Sequence, residues 1–341
     1  MNYSEMLESA RKNIGPYCKA CPVCNGVACR NQIPGPGAKG NGDNAIRNYQ
    51  AWQKYRLLTD PINDVKEPNV SFDFFGTILS GPILVGPVGA VQSHYGTMYD
   101  DLSYNNELIK GAIQANILPF LGDGKNSLVM EGAAKVLKEN DGFGIPTIKP
   151  WNMDTVYEKL DLVLTSNPKA IAMDIDACGL PFLKNQNPPA GTKTVDELKK
   201  IISYSKKPFI VKGILSLSAA RKAYEAGASA IVVSNHGGRV LESSITTVSA
   251  LEQIAKEFKG KMKIIVDGGI RSGADIFKAL ALGADACLIA RPYVVSIYGA
   301  KASGVKILTD KLIGELKDAM ILCGANNLNE INSNMVVKEE I

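Results

Sequence analysis

The chain has 341 residues, of which 45% are hydrophobic and 21% charged, which is enough for one large α/β core with an extension. The 38 Lys and Arg residues barely outnumber the 34 Asp and Glu residues, and this even balance argues against a nucleic-acid partner. The polar N-terminus lacks a signal-peptide core, and glycine and proline break the longest apolar stretch, residues 78–91, so we expect a cytoplasmic protein without a membrane segment.

Four of the seven cysteines lie close together near the N-terminus. They are Cys18, Cys21, Cys24 and Cys29. Their spacing, C-x2-C-x2-C-x4-C, is close to that of a ferredoxin, in which the last interval is x3 and proline follows the last cysteine. Thiolates in this pattern can bind zinc or an iron–sulfur cluster. The alternative, which we prefer from the sequence alone, is a set of reduced structural or redox-active thiols.

Residues 1–75 do not show the alternation of strands and helices that follows, and we treat them as an N-terminal extension of a domain at residues 76–341. Within the extension, Ile33 to Asn44 (IPGPGAKGNGDN) is rich in glycine and proline, which predicts a loop. This loop either is a flexible connector or covers the mouth of the domain.

From residue 83 onward, short β-branched or aliphatic runs alternate with helical patterns, as expected of repeated βα units and a parallel sheet. The eight runs are Ile83 to Val85, Leu118 to Leu121, Pro146 to Lys149, Ala170 to Ile175, Phe209 to Val211, Ala230 to Ser234, Lys263 to Asp267 and Ala286 to Ala290. Eight strands close a barrel, so the predicted fold class is α/β, a (β/α)8 TIM barrel with an N-terminal extension.

Polar residues follow several of these predicted strands. They are Lys212, Ser234 to Arg239, Asp267 to Arg271, and Arg291. Because barrel enzymes place their active sites at the carboxyl ends of the strands, we expect these groups to meet at one mouth. The runs DGGIRSG and IARP end the seventh and eighth strands, where such barrels bind phosphate. The backbone of Gly268 and Gly269 and the charges of Arg271 and Arg291 suit that anion.

His236 is one of two histidines and lies between Asn235 and two glycines, directly after a buried strand. With an ordinary pKa near ~6.5, its imidazole can accept a proton at neutral pH. Arg239, three residues further on, can bind a carboxylate beside it. A base next to a carboxylate-binding arginine is a pairing that suits the oxidation of an organic acid.

Residues 208–299 contain the runs PFIVKGI, VVSNHGGRVLE, IIVDGGIRSGADIFKALALGAD and IARP. In these runs the chain resembles the FMN-dependent 2-hydroxy acid dehydrogenases and oxidases, the family of lactate oxidase and glycolate oxidase. The resemblance implies FMN as the cofactor, a small-molecule substrate and a homo-oligomer, commonly a tetramer; the electron acceptor is left open. The FMN-binding residues that it implies are Gly86, Pro87, Val88, Gly89, Lys212, Ser234, Asp267, Gly268, Gly269, Arg271, Ala290 and Arg291.

The resemblance also implies individual roles. Lys212 would lie near the N1/O2 edge of the flavin and favour the anionic reduced ring. His236 would be the catalytic base, and Arg239 would bind the substrate carboxylate. Asp176, in the run AMDIDACG, matches the aspartate that pairs with the catalytic histidine in the family; without that match it would be taken for a solvated loop carboxylate.

The chain departs from the family where the substrate is oriented. The third strand of the family carries a tyrosine where this chain has Thr147, Ile148 and Lys149. A second tyrosine near the N-terminus and an arginine after the fourth strand also lack counterparts. Lys149 is therefore a candidate substrate-binding residue, as a second carboxylate contact or a contact for a more anionic substrate, with a flavin contact as the alternative.

The leading hypothesis is FMN-dependent oxidation of a small, lactate-like 2-hydroxy acid to the 2-oxo acid, with His236 as base and Arg239 as carboxylate clamp. Two alternatives remain open. One is a flavin-dependent isomerase of the isopentenyl diphosphate isomerase type, which the missing tyrosines would explain. The other is a flavin-binding protein without catalytic activity.

Overall fold

The structure, a computed structural model, describes residues 1–33, 35–183, 185–187 and 189–339. Its centre is a closed barrel of eight parallel strands, which we number β1 to β8 in chain order. They are Ile83–Val85, Leu118–Leu121, Ile145–Ile148, Ile171–Asp174, Phe209–Ile214, Ala230–Val233, Lys263–Asp267 and Ala286–Ile289. Each strand pairs with its sequence neighbour, and β8 pairs with β1. The predicted TIM barrel is confirmed.

The eight predicted runs coincide with the eight barrel strands to within a few residues. The largest difference is in β5, which continues to Ile214 beyond the predicted end at Val211. The register of β5 against β6 shifts between Lys212 and Ile214. Such an irregularity inserts an extra residue, in this case Gly213, and bends the strand at the rim of the barrel.

Helices follow the strands and cover the outside of the barrel. The α-helices of the described residues, α1 to α11 in chain order, are Tyr3–Asn13, Asp43–Gln53, Val91–Tyr95, Asp101–Ala115, Ser127–Lys138, Met153–Leu164, Val195–Ser205, Leu217–Glu225, Thr247–Phe258, Gly273–Ala281 and Arg291–Cys323. Short 3-10 turns lie at Ile175–Gly179, His236–Gly238, Leu328–Glu330 and Ser333–Met335. Helix α11 has a break at Ala300 and Lys301, where the backbone leaves the helical region.

The interior of the barrel is filled by alternate residues of each strand, because side chains along a strand point to opposite faces. A hairpin, Phe72–Phe74 with Thr77–Leu79, places Phe72, Phe74 and Leu79 in this interior cluster. The inward-facing strand residues of the cluster are Leu84, Leu118, Phe120, Ile145, Ala170, Ala172, Ile210, Ala230, Val232, Ile265, Ala286 and Leu288. The barrel is therefore a packed core, and ligands are limited to its open end.

The N-terminal extension packs on the barrel. Helix α1 lies against α11, and α2 lies against the turn at His236–Gly238. The hairpin of residues 72–79 spans positions 75 and 76, where the sequence suggested a division between extension and barrel. No helix within the described residues is both long and apolar enough to cross a membrane.

Candidate active site

The carboxyl ends of the strands and the loops above them enclose a cavity of about 640 Å³, a size typical of small-molecule sites. Most of the site residues predicted from the sequence line it. They are Gly86, Pro87, Val88, Gly89, Lys149, Lys212, His236, Arg239, Asp267, Gly268, Arg271, Ala290 and Arg291. The described lining holds six Lys or Arg and three Asp side chains, so the cavity favours an anionic ligand.

Three of the predicted residues lie outside the lining of this cavity. Ser234 is buried beside it, and its hydroxyl donates to Asp267 Oδ2 at 2.8 Å. Gly269 lies against helix α2, where an added Cβ would be 2.4 Å from the carbonyl oxygen of Asn48. Asp176 reaches the cavity only through His236. These residues support the wall rather than form it.

The period of two along the strands explains why the polar residues share one layer. In β4, Ala172 faces the barrel interior, as does Ala170 just before the strand, and the next residue on that face is Asp174. In β5, Ile210 faces inward, and Lys212 follows it by the same rule. Asp174 and Lys212 are paired in the register of the two strands. Their opposite charges therefore meet at the mouth of the barrel.

Asp174 is the centre of this charged layer. Its Oδ2 accepts from Lys149 Nζ at 2.6 Å, and its Oδ1 accepts from Lys212 Nζ at 2.8 Å. Burial would raise the pKa of Asp174, but His236 in its protonated form, together with Lys149 and Lys212, holds this pKa well below the ordinary value. Burial would likewise lower the pKa of Lys212, yet the surrounding aspartates raise it. Asp174 is thus a carboxylate, and Lys212 an ammonium, across the physiological pH range.

Sequence reasoning missed Asp174, although it stands two residues before Asp176 in the same run. The signal that identifies it is its place as the last inward-facing residue of a barrel strand. Together with Asp176 and His236 it forms a group whose ligand atoms lie within 4.8 Å of one another. Lys149 and Lys212 already supply cations to the Asp174 carboxylate, so this group is explained by ion pairing.

His236 is held in an unusual backbone conformation. Its φ is +57°, and the next two residues, Gly237 and Gly238, have φ of +63° and +81°. Residues other than glycine seldom adopt such a left-handed conformation. The backbone N–H of His236 donates to Ser234 Oγ at 3.0 Å. Asn235 is locked to Asn48 of α2 by two hydrogen bonds, at 2.7 and 3.0 Å. The turn therefore aims the imidazole into the cavity.

Two carboxylates approach the same nitrogen of His236. Its Nδ1 is 3.0 Å from Asp176 Oδ1 and 3.4 Å from Asp174 Oδ1. Burial lowers the pKa of His236 and Lys212 adds to this effect, while the two aspartates oppose it. The imidazole is consequently neutral near pH 7. With the Nδ1 proton held by a carboxylate, Nε2 is free to accept a proton.

Gly213 makes the approach of Asp176 possible. Its φ is +102°, and an added Cβ would lie 2.5 Å from Asp176 Cγ. Any side chain at this position would displace the carboxylate from His236. The irregularity in β5 thus creates the space that the partner of the histidine occupies.

Arg239 links the cavity to the Gly/Pro-rich segment. Its Nη1 donates to the carbonyl oxygens of Gly35 and Gly37, the latter at 3.1 Å. Lys39 N donates to the carbonyl oxygen of Gly238 at 2.8 Å. Apart from Pro34, which lies outside the described residues, this segment therefore packs over the mouth of the barrel. Of the two interpretations, the loop over the mouth agrees with the structure, and helix α2 already begins at Asp43.

Two further residues of the lining were not found from the sequence, His94 and Tyr95 of α3. His94 Nδ1 accepts from Gly35 N at 3.0 Å, so its proton is on Nε2. Burial, assisted by Arg239 and Lys149, lowers the pKa of His94 to about 3. His94 is thus a neutral donor in a cationic cavity. Nothing in its local sequence indicates this role, since the loop that it contacts is about sixty residues away.

Lys149 is fixed from two sides. Its ammonium is bound to Asp174, as described, and its backbone N–H donates to Asp123 Oδ2 at 3.0 Å. The same carboxylate accepts from Trp151 Nε1 at 2.7 Å and from Lys159 Nζ at 2.8 Å. Asp123 therefore holds the end of β3 in place, and Lys149 contributes a positive charge to a rigid wall of the cavity.

The ends of β7 and β8 form the cationic corner of the cavity. Arg271 and Arg291 both line it. Helix α10 begins at Gly273, two residues after Arg271, and Arg291 is itself the first residue of α11. Burial raises the pKa of Asp267 to about 6, with Lys212 and Ser234 opposing. Its Oδ1 is buried without a hydrogen-bond partner among the described residues. The corner thus offers charge for an anion and one unused acceptor for a hydroxyl.

The sequence profile of a family described as FMN-dependent dehydrogenase matches residues 36–187 and 182–338. The two segments together span residues 36–338, which include all eight barrel strands and most of the loop over the mouth. The chain belongs to the FMN-dependent dehydrogenase family. The resemblance inferred from the motifs is confirmed.

Curated relatives of the chain match over part of their length. A peroxisomal (S)-2-hydroxy-acid oxidase of Oryza sativa subsp. japonica is 40% identical over 153 residues, 45% of this chain and 41% of the relative. An L-lactate dehydrogenase of Ectopseudomonas mendocina is 42% identical over 193 residues, 55% of this chain and 49% of the relative. The matched part of the chain thus spans less than half of either relative.

Solved structures agree over the whole fold. A lactate oxidase of Pediococcus acidilactici has a TM-score of 0.82 at 23% identity, covering 100% of this chain and 95% of that one. A mandelate oxidase has a TM-score of 0.78 at 24% identity, covering 98% and 97%. At such identities the likeness concerns the fold of the chain alone.

Proposed function

We propose that the protein oxidises a small 2-hydroxy acid to the 2-oxo acid with FMN as the electron acceptor. The observation that carries the proposal is the setting of His236, a neutral imidazole backed by two carboxylates and facing a cationic cavity that also holds Arg239. A base beside a carboxylate-binding group is what such an oxidation requires. Family membership and the names of the relatives support the same reaction class.

The residues around the cavity fit FMN. Arg271, Arg291 and the N-termini of α10 and α11 suit the phosphate. The unpartnered Oδ1 of Asp267 suits a ribityl hydroxyl better than the phosphate, which its negative charge would repel. Lys212, buried and charged, suits an electron-rich edge of the flavin. When bound, FMN supplies the acceptor for the two electrons that leave the substrate.

The part played by His236 is to take one proton from the substrate. The overall oxidation removes two electrons and two protons from the carbinol, and a neutral imidazole can accept the first proton from either the hydroxyl or the α-carbon. The imidazolium that forms is stabilised by Asp176 at 3.0 Å and Asp174 at 3.4 Å. Because these carboxylates are fixed by folding, little reorganisation accompanies the proton transfer.

Substrate orientation is assigned to Arg239, His94 and Lys149. Within the part of the chain that the structure describes, Arg239 uses only Nη1 for hydrogen bonds to protein, which leaves Nε and Nη2 for a carboxylate. The Nε2–H of His94 is a neutral donor that suits a carboxylate oxygen or the substrate hydroxyl. Lys149 contributes charge while bound to Asp174. His94 and Lys149 would take the place of the tyrosines that the family carries.

The test uses the full chain reconstituted with FMN and a panel of 2-hydroxy acids under anaerobic conditions, with flavin reduction followed by its absorbance. In His236→Asn the new residue also tolerates a positive φ, but the base is removed. We expect the rate of flavin reduction to fall by a factor of roughly 10² to 10⁴. Retained FMN, measured by flavin fluorescence after denaturation, shows that the variant is folded.

The alternatives give different results in the same experiment. The isomerase would be established instead if isopentenyl diphosphate were turned over only with pre-reduced flavin and if no hydroxy acid reduced the flavin. A protein without catalytic activity would bind flavin, but no compound would reduce that flavin. The wild type and His236→Asn would then give the same result in every assay.

A further inference from the structure

A second cavity, of about 270 Å³, lies beside the cationic corner of the active site. All four N-terminal cysteines, Cys18, Cys21, Cys24 and Cys29, line it. Cys29 is buried, and the other three are partly buried. Much of the rest of its wall comes from α1, α2, the beginning of α10, and both the beginning and the middle of α11. The closely spaced cysteines of the sequence thus surround one enclosed space rather than a stretch of surface.

The spacing of the sulfur atoms is informative about what this space can hold. Zinc bound tetrahedrally by four thiolates at about 2.3 Å requires sulfur atoms about 3.8 Å apart. Among the described residues, which include all four cysteines, no three of these sulfurs lie within 4.8 Å of one another. In a [4Fe–4S] cluster each of the four thiolates binds a different iron atom, so the sulfur atoms of the cysteines stand further apart around a central body.

The charge of the wall suits an anionic occupant. Lys19, Arg271, Arg291 and Lys311 line the cavity, and a cluster with four thiolate ligands carries net negative charge. The acidic residue of the described lining, Asp275, is buried and paired with Lys278 at 3.1 Å. An anionic cluster here would therefore meet cations on several sides.

From this arrangement we propose that Cys18, Cys21, Cys24 and Cys29 bind an iron–sulfur cluster. The site is independent of the substrate chemistry of the barrel, although it adjoins the active site. Arg271 and Arg291 line both cavities, and Arg271 Nε donates to the carbonyl oxygen of Cys24 at 2.6 Å. The cluster would thus lie against the corner assigned to the FMN phosphate, with one of its ligand residues holding an arginine of that corner.

The experiment is metal and sulfide analysis of the full chain, purified anaerobically and then reconstituted with ferrous iron and sulfide. Because iron and acid-labile sulfide are measured chemically, flavin and enzyme activity do not affect the readout. We expect iron and sulfide in equal amounts, roughly four of each per chain for the [4Fe–4S] cluster that the separation of the sulfur atoms favours. Electron paramagnetic resonance after reduction with dithionite should show a cluster signal.

Single Cys→Ser variants at the four positions should lose most of the bound iron. Cys323→Ser is the matched control, because this buried cysteine ends α11 outside the cavity lining, and it should retain the wild-type content. Zinc without sulfide in the wild type would overturn the proposal, as would no iron after reconstitution or equal iron in all variants. If the four variants do not fold, the wild-type analysis still decides, since it requires no substitution.

Discussion

Asp176→Asn tests how His236 is activated. The substitution keeps the size of the side chain and removes the charge that lies 3.0 Å from Nδ1. A hydrogen bond to a charged group contributes about 1.5–3 kcal/mol, which corresponds to a decrease of roughly 10- to 150-fold in the rate of flavin reduction. Asp174 remains at 3.4 Å, so the loss should be smaller than that caused by removing the imidazole itself.

The pH dependence gives an independent prediction. Asp176 raises the pKa of His236, so its neutralisation lets that pKa fall further. The neutral base then persists to lower pH, and the acidic limb of kcat/KM moves to lower pH. A structural effect alone would reduce the rate without moving this limb toward acid.

The assay is anaerobic stopped-flow reduction of the FMN-loaded enzyme by its best 2-hydroxy acid, repeated across the acidic range. Asp310→Asn, which neutralises an exposed carboxylate paired with Lys306, is the matched control and should behave as wild type. If Asp176→Asn and the control give the same rate and the same acidic limb, Asp176 has no role in activation. Asp174 alone would then be the partner of the histidine.

Three other predictions follow from single contacts. Arg239→Met should raise KM for the acid substrate by roughly 10- to 150-fold, because a charge-assisted contact is lost. Arg221→Met, which removes an exposed pair with Glu257, should leave KM unchanged. Steady-state kinetics of both variants test this prediction. His94→Ala should raise KM and His94→Gln, which can still accept and donate, should restore much of the loss; equal KM values in the two would contradict a hydrogen-bonding role. Gly213 has a φ of +102° and lies against Asp176, so Gly213→Ala should destabilise the fold by about 1–3 kcal/mol and lower the rate of flavin reduction. Gly314 has open space around it, so Gly314→Ala should be neutral or slightly stabilising. Thermal unfolding measures both effects on stability.

The sequence by itself determined the barrel and the positions of most residues around its mouth. The alternation of apolar runs with helical segments is a local property, and it located all eight strands within a few residues. The period of two along each strand then requires that Lys212 and Asp267 face the same way as the packed interior residues before them. Because all eight strands are parallel, their ends meet, and a site at that end follows from topology alone.

Only the tertiary structure decided which of these groups touch. Asp174 and Asp176 lie two residues apart, and their shared contact with His236 depends on the distance between β4 and β6 and on the space left by Gly213. The loop at residues 35–42, His94, and the cavity shared by four cysteines and two arginines join segments from both ends of the chain. Such contacts form only when the barrel closes and the extension packs on it, so no local pattern of residues encodes them.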